Sequence, residues 1–257
     1  MNRCSHCSAP AVSTQVFCTQ CGGALVRAPS STRLQDAFPD LDMRGEFSLE
    51  VVRSAGSEAG HSLSLQQGAQ TIGTDGAVCL TADPHASAHH ARVTLENGSL
   101  RLSDTGSVNG TWLRLRSVEF PLADGEVFRL GEQFLRFDLH LVQDAPSDGE
   151  ETSGTPLRPW RIKVTQLLEG GGEGLVYSTR RDRMILGREG CDVNFVGDAF
   201  VSSTHCELRC RPGAVSLRDL GSLNGTFISV PPGVEVPLQG GDEIAMGRHL
   251  LRVVAGS

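Results

Sequence analysis

No apolar run in the 257-residue chain approaches the roughly 20 residues that a membrane-crossing helix needs. The N-terminus, Met1 to Cys7, lacks the apolar stretch of a secretory leader, so the expected compartment is the cytoplasm. An excess of basic residues is missing too. The formal net charge is −7, which argues against a chain-wide nucleic-acid platform, because phosphate backbones bind basic surfaces. No nucleophile–base pair and no open metal site is visible, so the chain reads as non-catalytic. Long helical periods are few. What is plentiful is turn-forming: 30 glycines and 12 prolines point to an all-β chain with many turns. The length leaves room for two domains of ordinary size and a small module.

Four of the eight cysteines fall in the first 21 residues. Cys4 and Cys7 form one Cys-x2-Cys pair, Cys18 and Cys21 another. Two such turns complete a tetrahedral thiolate shell, which suits a structural Zn2+ in a reducing compartment. The bland alternative is a redox dithiol. Met1 to Gln35 contains Arg3, Arg27 and Arg33 and no acid. A zinc bound by four thiolates carries about −2, so that basic charge is nearly cancelled and protein contact is favoured over nucleic acid. Cys206 and Cys210 read as buried core thiols. The Pro-, Ser- and Asp-containing stretch after the ribbon reads as a linker. Leu34, Phe38 and Leu41 would suit a short docking helix there, with Pro39 counting against it.

The rest of the chain is a repeat. Residues 46 to 142 and 159 to 254 align at a spacing of about 115. Ser87, His90, Asp104 and Asn109-Gly110 match Ser202, His205, Asp219 and Asn224-Gly225. Gly73 matches Gly187, and Leu122, Gly125, Gly131 and Leu135 match Leu238, Gly241, Gly247 and Leu251. Runs such as Ala91 to Leu95 and Val215 to Arg218 alternate apolar and polar, the period of antiparallel strands in a sandwich. The acidic, Gly- and Ser-containing segment between the copies reads as flexible, spanning about 22 Å on average. The expected division is 1–27, a zinc ribbon; 28–45, a linker; 46–142, a first sandwich; 143–158, an acidic linker; and 159–257, a second sandwich.

In the second copy, Arg188 follows Gly187 at the end of the apolar run Met184-Ile185-Leu186. A guanidinium fork fits phosphate with two hydrogen bonds. Ser202 and Ser203 offer hydroxyls from another loop, and Asn224 offers an amide that can engage an extended peptide. Gly225 supplies the positive φ of an Asn-Gly turn. Gly-Arg, Ser-x-x-His and the closing run Asp219-Leu220-Gly221-Ser222-Leu223-Asn224-Gly225-Thr226 resemble the forkhead-associated (FHA) domain.

The resemblance covers about three quarters of the chain. It implies eleven-stranded β-sandwiches whose apical loops bind phosphothreonine. The expected fold is thus all-β, two FHA-type sandwiches in tandem preceded by a small Cys4 zinc ribbon. By motif position, Arg188 and Ser202 would hold the phosphate and Ser203 the phosphopeptide. Leu223 and Asn224 would meet the peptide backbone and the threonine methyl, and His205 would brace the loops. Ser203 stands where the family often has a base, and Leu223 where it often has a small hydroxyl, which implies a weaker site or a different preference.

The first copy has Thr74 in place of the arginine and Ala88 in place of Ser203, while Gly73, Ser87, His90, Asn109 and Gly110 remain. It reads as a degenerate copy used for packing, self-association or phosphate-independent binding. The expected function is a phosphothreonine-dependent adaptor in bacterial-type Ser/Thr kinase signalling, its partner a kinase or a kinase substrate. The alternatives are a phosphate-independent scaffold or a ribbon-mediated nucleic-acid or protein regulator.

Overall fold

The computed structural model describes residues 2–3, 9–11, 31–40, 46–54, 56, 59–80, 83–116, 119–141, 160–211 and 214–256. Cys4, Cys7, Cys18, Cys21 and the acidic linker lie outside the described residues. A two-residue pair, β1 (Asn2–Arg3) with β2 (Pro10–Ala11), precedes the helix α1 (Ser31–Ala37).

Repeat 1 contributes β3 (Phe47–Arg53), β4 (Ser62–Ser64), β5 (Gly68–Gly73), β6 (Val78–Cys79), β7 (Ala91–Glu96), β8 (Ser99–Asp104), β9 (Thr111–Arg114), β10 (Phe120–Leu122), β11 (Val127–Leu130) and β12 (Gln133–Leu141). Repeat 2 contributes β13 (Trp160–Leu167), β14 (Glu173–Thr179), β15 (Arg183–Gly187), β16 (Val193–Asn194), β17 (Cys206–Arg211), β18 (Ala214–Asp219), β19 (Thr226–Val230), β20 (Val236–Leu238), β21 (Glu243–Met246) and β22 (His249–Ala255). The alternation read from the sequence is the observed one. In β7, for instance, Ala91, Val93 and Leu95 are buried while Arg92 and Glu96 are exposed.

The strands do not pair within their own repeats throughout. One five-stranded sheet runs β10-β18-β17-β15-β16, the other β20-β8-β7-β5-β6. Each takes its first strand from the opposite repeat. A ten-stranded sheet runs β14-β13-β12-β11-β19-β9-β21-β22-β3-β4. Thus β10–β12 complete the sandwich begun by β13–β19, and β20–β22 complete the one begun by β3–β9. At the centre β9 pairs with β19, Thr111 opposite Val230 and Arg114 opposite Phe227. That pairing maps onto itself when the repeats are exchanged, so the molecule has a pseudo-twofold axis there.

This corrects the expectation of one sandwich per contiguous stretch, 46–142 and 159–257. The physical reason lies in the connections after β9 and β19. Leu113 to Phe120 contains no Gly, Pro, Asn or Asp and only Ser117, a weak turn former, so little in it favours a tight reversal. After β19 comes Pro231-Pro232, which keeps the chain extended. Pro232 bridges to Asp104 of repeat 1, and Gly233 N donates to Asp104 O at 3.1 Å.

A single apolar core runs through both sandwiches, with Leu49, Leu102, Phe128, Phe137, Leu208, Leu217 and Leu251 fully buried. A second cluster, Trp112, Val127, Phe227, Ala245 and Leu250, covers the other face of the central strands. Ion pairs cross the exchange, two of them beside the central strands. Arg116 grips Asp242 through Nε at 2.9 Å and Nη2 at 2.6 Å, and Arg114 Nη1 meets Glu243 at 2.7 Å.

The stretch read as a linker at 28–45 is not one throughout. Helix α1 ends before Pro39, which therefore terminates the helix without breaking it. Leu34 and Phe38 are fully buried in the main core, each contributing about 1.5–3 kcal/mol. Arg33 pairs with Glu126, Arg101 pairs with Asp40, and the Arg116 guanidinium carbon lies 4.8 Å from the Phe38 ring centroid. Leu41 lies outside the described residues. Among the described residues no helix is long and apolar enough to cross a membrane.

Candidate functional site

Three loops of repeat 2 meet at Ser202. Arg188 follows β15, Ser202 precedes β17, and Leu223-Asn224 joins β18 to β19. Arg188 N donates to Ser202 O at 2.8 Å, and Leu223 N donates to Ser202 Oγ at 3.1 Å. Ser202 Oγ thereby accepts from the loop, and its own hydrogen is uncommitted among the described residues. A Cβ at Gly187 would stand 2.1 Å from Ser203 O, so only glycine lets β15 end against that carbonyl. Gly225 has φ +82°, the left-handed value an Asn-Gly turn requires.

His205 is the hub beneath these loops. It is fully buried, its Nδ1 accepts from Ser202 N at 3.1 Å, and its Nε2 lies 3.0 Å from Gly225 O. An accepting Nδ1 places the ring hydrogen on Nε2, which donates to Gly225 O. Burial pushes the His205 pKa down, outweighing the Gly225 hydrogen bond and the charges of Asp219 and Asp198, which favour protonation; Arg114 adds to the lowering. The ring is therefore neutral, both nitrogens are committed, and it braces the loops.

Asp219 ties the third loop. Its Oδ1 accepts from Gly221 N and Ser222 N at 2.9 and 2.8 Å. Its Oδ2 accepts from Ser222 Oγ and Thr226 Oγ1 at 2.7 and 2.6 Å. Burial alone would raise its pKa; the Ser222 and Thr226 hydrogen bonds overcome this and hold it below the usual carboxylate value. Asn224 Nδ2 donates to Phe200 O at 2.9 Å, so one amide hydrogen is used to clip two loops together.

Three side chains stand outside this frame. The Arg188 guanidinium is half-buried and has no hydrogen bond or ion pair among the described residues. Ser203 is exposed, and Leu223 is 83% exposed. All five sequence-predicted residues thus lie on this loop cluster.

The same frame recurs in repeat 1. Ser87 N donates to His90 Nδ1 at 3.0 Å, His90 Nε2 lies 3.0 Å from Gly110 O, and Val108 N donates to Ser87 Oγ at 3.0 Å. Asp104 takes the hydrogens of Gly106, Ser107 and Thr111. Asn109 Nδ2 reaches His85 O at 2.9 Å, and a Cβ at Gly73 would lie 2.1 Å from Ala88 O. Burial lowers the His90 pKa as it does that of His205. Repeat 1 therefore keeps the architecture, with Thr74, Ala88 and Val108 standing in place of Arg188, Ser203 and Leu223.

Two supports escaped the sequence reading. Asp198, 4% exposed, receives Glu132 N at 2.7 Å and Gln133 Nε2 at 2.8 Å from repeat 1, and Phe200 N at 2.9 Å from its own loop. Arg114, also from repeat 1, donates through Nη2 to Ser222 O at 3.2 Å. The loops that carry Arg188 and Ser202 are thus buttressed across the strand exchange. Asp198 had a signal, since it matches Asp83 at the repeat spacing. Arg114 had none; Ser229 stands at its twin position.

The two histidines make stability depend on pH. Their folded-state pKa values lie below the ordinary 6.5, so the unfolded chain takes up protons first. The stability present above pH 6.5 is lost as pH falls through the folded values. With both sites the slope reaches at most about 2.7 kcal/mol per pH unit. The depressed Asp83, Asp219 and Glu243 act only below about their ordinary values of 3.8 to 4.5. Urea unfolding between pH 7.5 and 5 is expected to show the loss, and His90→Gln/His205→Gln to flatten it. A wild-type midpoint constant over that window contradicts the assignment.

The FHA domain family model matches the chain twice, at residues 70–131 and 184–247, spanning both loop frames. The oxoglutarate dehydrogenase inhibitor of Corynebacterium efficiens is 42% identical over 121 residues, 47% of this chain and 85% of that protein. The glycogen accumulation regulator GarA of Mycolicibacterium smegmatis is 37% identical over 62 residues, 24% of this chain and 39% of that protein. Among solved structures, the FhaA FHA domain complexed with the intracellular domain of Rv3910 is 33% identical, covering 35% of this chain and 98% of that one, with a TM-score of 0.24.

Proposed function

The chain belongs to the FHA-domain family, and from that premise we propose that it is a non-catalytic adaptor that binds phosphothreonine peptides through the loops around Arg188. The observation that carries this reading is Arg188, whose guanidinium has no partner among the described residues and whose backbone N meets Ser202 O at 2.8 Å, with the Ser202 hydroxyl hydrogen uncommitted. Arg188 and Ser202 hold the phosphate, Ser203 adds a hydroxyl, and Leu223 and Asn224 meet the peptide. The partner is a phosphothreonine-bearing protein in Ser/Thr kinase signalling, either a kinase or its substrate. Similar proteins named as an inhibitor and as a regulator favour a regulatory role over a catalytic one. The committed, neutral His205 leaves no base at the site. Repeat 1 serves by completing the second sandwich. The four N-terminal cysteines supply a structural Zn2+ site on this reading, which rests on their spacing alone.

The test is a phosphothreonine peptide library against wild type and Arg188→Ala. Two charge-assisted hydrogen bonds are worth about 3 kcal/mol or more, so the variant is expected to lose roughly a hundredfold in affinity. A wild type that prefers phosphorylated peptide no more than the unphosphorylated one overturns the proposal.

A further inference from the structure

The pseudo-twofold axis offers an internal comparison away from Arg188. On the repeat 1 side, a cleft of about 420 Å³ opens between the sandwiches. His85, Trp112, Arg129, Phe134 and Leu167 line it, and none of the residues assigned to phosphothreonine does. At the twin positions stand Phe200 for His85, Arg53 for Leu167 and Ala245 for Arg129. There the Arg53 guanidinium carbon sits 5.0 Å from the Phe200 ring centroid. With Phe227 for Trp112 and Leu250 for Phe134, all five of these lining residues differ from their twins, and the Arg129 cation has an alanine, Ala245, as its counterpart.

Arg129 is the charge within the cleft. It projects from β11, its guanidinium carbon lies 5.3 Å from the Phe134 ring centroid, and its Nε donates to Gly131 O at 3.1 Å. Neither Nη makes a hydrogen bond or ion pair among the described residues. Burial, with Arg53 nearby, pushes its pKa down to about 10, so it is still charged at neutral pH. A half-buried guanidinium with two idle donors favours an anion that fits both. The other formal charges on the wall, Arg248, Glu132 and Glu169, are exposed and screened by solvent. One inner cation balances a monoanion but leaves a dianion half-compensated beside an apolar wall, which favours carboxylate over phosphate. Trp112 and Phe134 meet edge to face at 5.2 Å and, with Leu167, give the apolar wall. The volume lies within the roughly 300–1,000 Å³ of small-molecule sites.

We propose that this cleft binds a small apolar carboxylate, its carboxylate on Arg129 and its body against Trp112, Phe134 and Leu167. The probes are benzoate and its neutral isostere benzamide. The full chain contains two tryptophans, so a Trp160→Phe background leaves Trp112 as the one indole signal. Its Nε1–H donates to Asn109 O at 3.0 Å at the cleft wall and reports occupation in 1H–15N spectra. Benzoate is expected to shift that signal saturably, and benzamide to bind at least tenfold more weakly. Arg129→Ala and His85→Phe, each copying the twin residue, are expected to weaken benzoate at least tenfold while phosphothreonine peptide still binds at Arg188. Absence of a saturable shift, benzamide matching benzoate, or undiminished benzoate affinity in either folded variant overturns the proposal. Peptide binding at Arg188 stands or falls separately.

Discussion

Residues 159–257 alone are expected to give no folded monomer that binds phosphothreonine peptide, and residues 46–142 supplied in trans are expected to restore binding. The whole recognition motif lies in repeat 2, so a reading by motif alone predicts the opposite. The fragment lacks β10, β11 and β12. Strand β13 loses its partner along the register from Phe134–Leu167 to Leu141–Trp160. Strand β19 loses β11 on one side and β9 on the other. The core loses Phe120, Leu122, Phe128, Leu130, Leu135 and Phe137, all at most 8% exposed. At about 1.5–3 kcal/mol each, their burial amounts to roughly 9–18 kcal/mol, comparable to the entire stability of an ordinary domain.

The fragment could in principle fold back its own β20–β22 to fill the gap, because those strands are the twins of β10–β12. The connection opposes this. Val230 precedes Pro231-Pro232, and the proline that follows it restricts it to extended backbone. A chain leaving β19 in that direction reaches another sandwich. Exchange between two fragments, giving a dimer, is therefore the accessible way to close. Size-exclusion chromatography with peptide titration decides the matter. A monomeric 159–257 with the full chain's affinity sinks the interpretation.

The contrast locates what the sequence encodes openly. Alternation in Ala91–Leu95 or Val215–Arg218 marks a strand and the face it buries, and the 115-residue spacing marks the duplication. The loop frame was legible for the same reason, since Ser, His, Asp and Asn-Gly recur at matched positions and each makes local bonds. Strand partnership was not legible. The edge of β12 or β22 is a row of backbone groups, and Leu135 or Leu251 suits either sandwich, so side-chain pattern cannot choose between them. The choice resides in the two short connections, one poor in turn residues and one with two prolines. Arg114 was invisible because its role exists only once β9 lies beside β19. Pro39 misled because a proline was weighed as a breaker where it served as a stop after Phe38.

Thr74→Arg with Ala88→Ser is expected to create a second phosphothreonine site, raising the stoichiometry from one peptide per chain to two. Degenerate binding domains often lose their sites through collapsed loops, and such a loss is not reversed by two side chains. Here the loops have not collapsed. Ser87, His90, Asp104 and Asn109 make the same hydrogen bonds as Ser202, His205, Asp219 and Asn224. Thr74 N reaches Ser87 O at 3.3 Å where Arg188 N reaches Ser202 O at 2.8 Å, so the residue sits slightly farther from the serine loop. An arginine side chain spans that difference. Asp75 follows Thr74 as Glu189 follows Arg188, both exposed, so the electrostatic neighbourhood is alike. In an Arg188→Ala background the two substitutions are expected to recover roughly a hundredfold in affinity, the value of two charge-assisted bonds. Isothermal titration of that triple variant is the measurement. If it melts like wild type and binds nothing, the frame is insufficient and the recognition surface must include residues beyond the motif, with Phe200 against His85 the first difference to exchange.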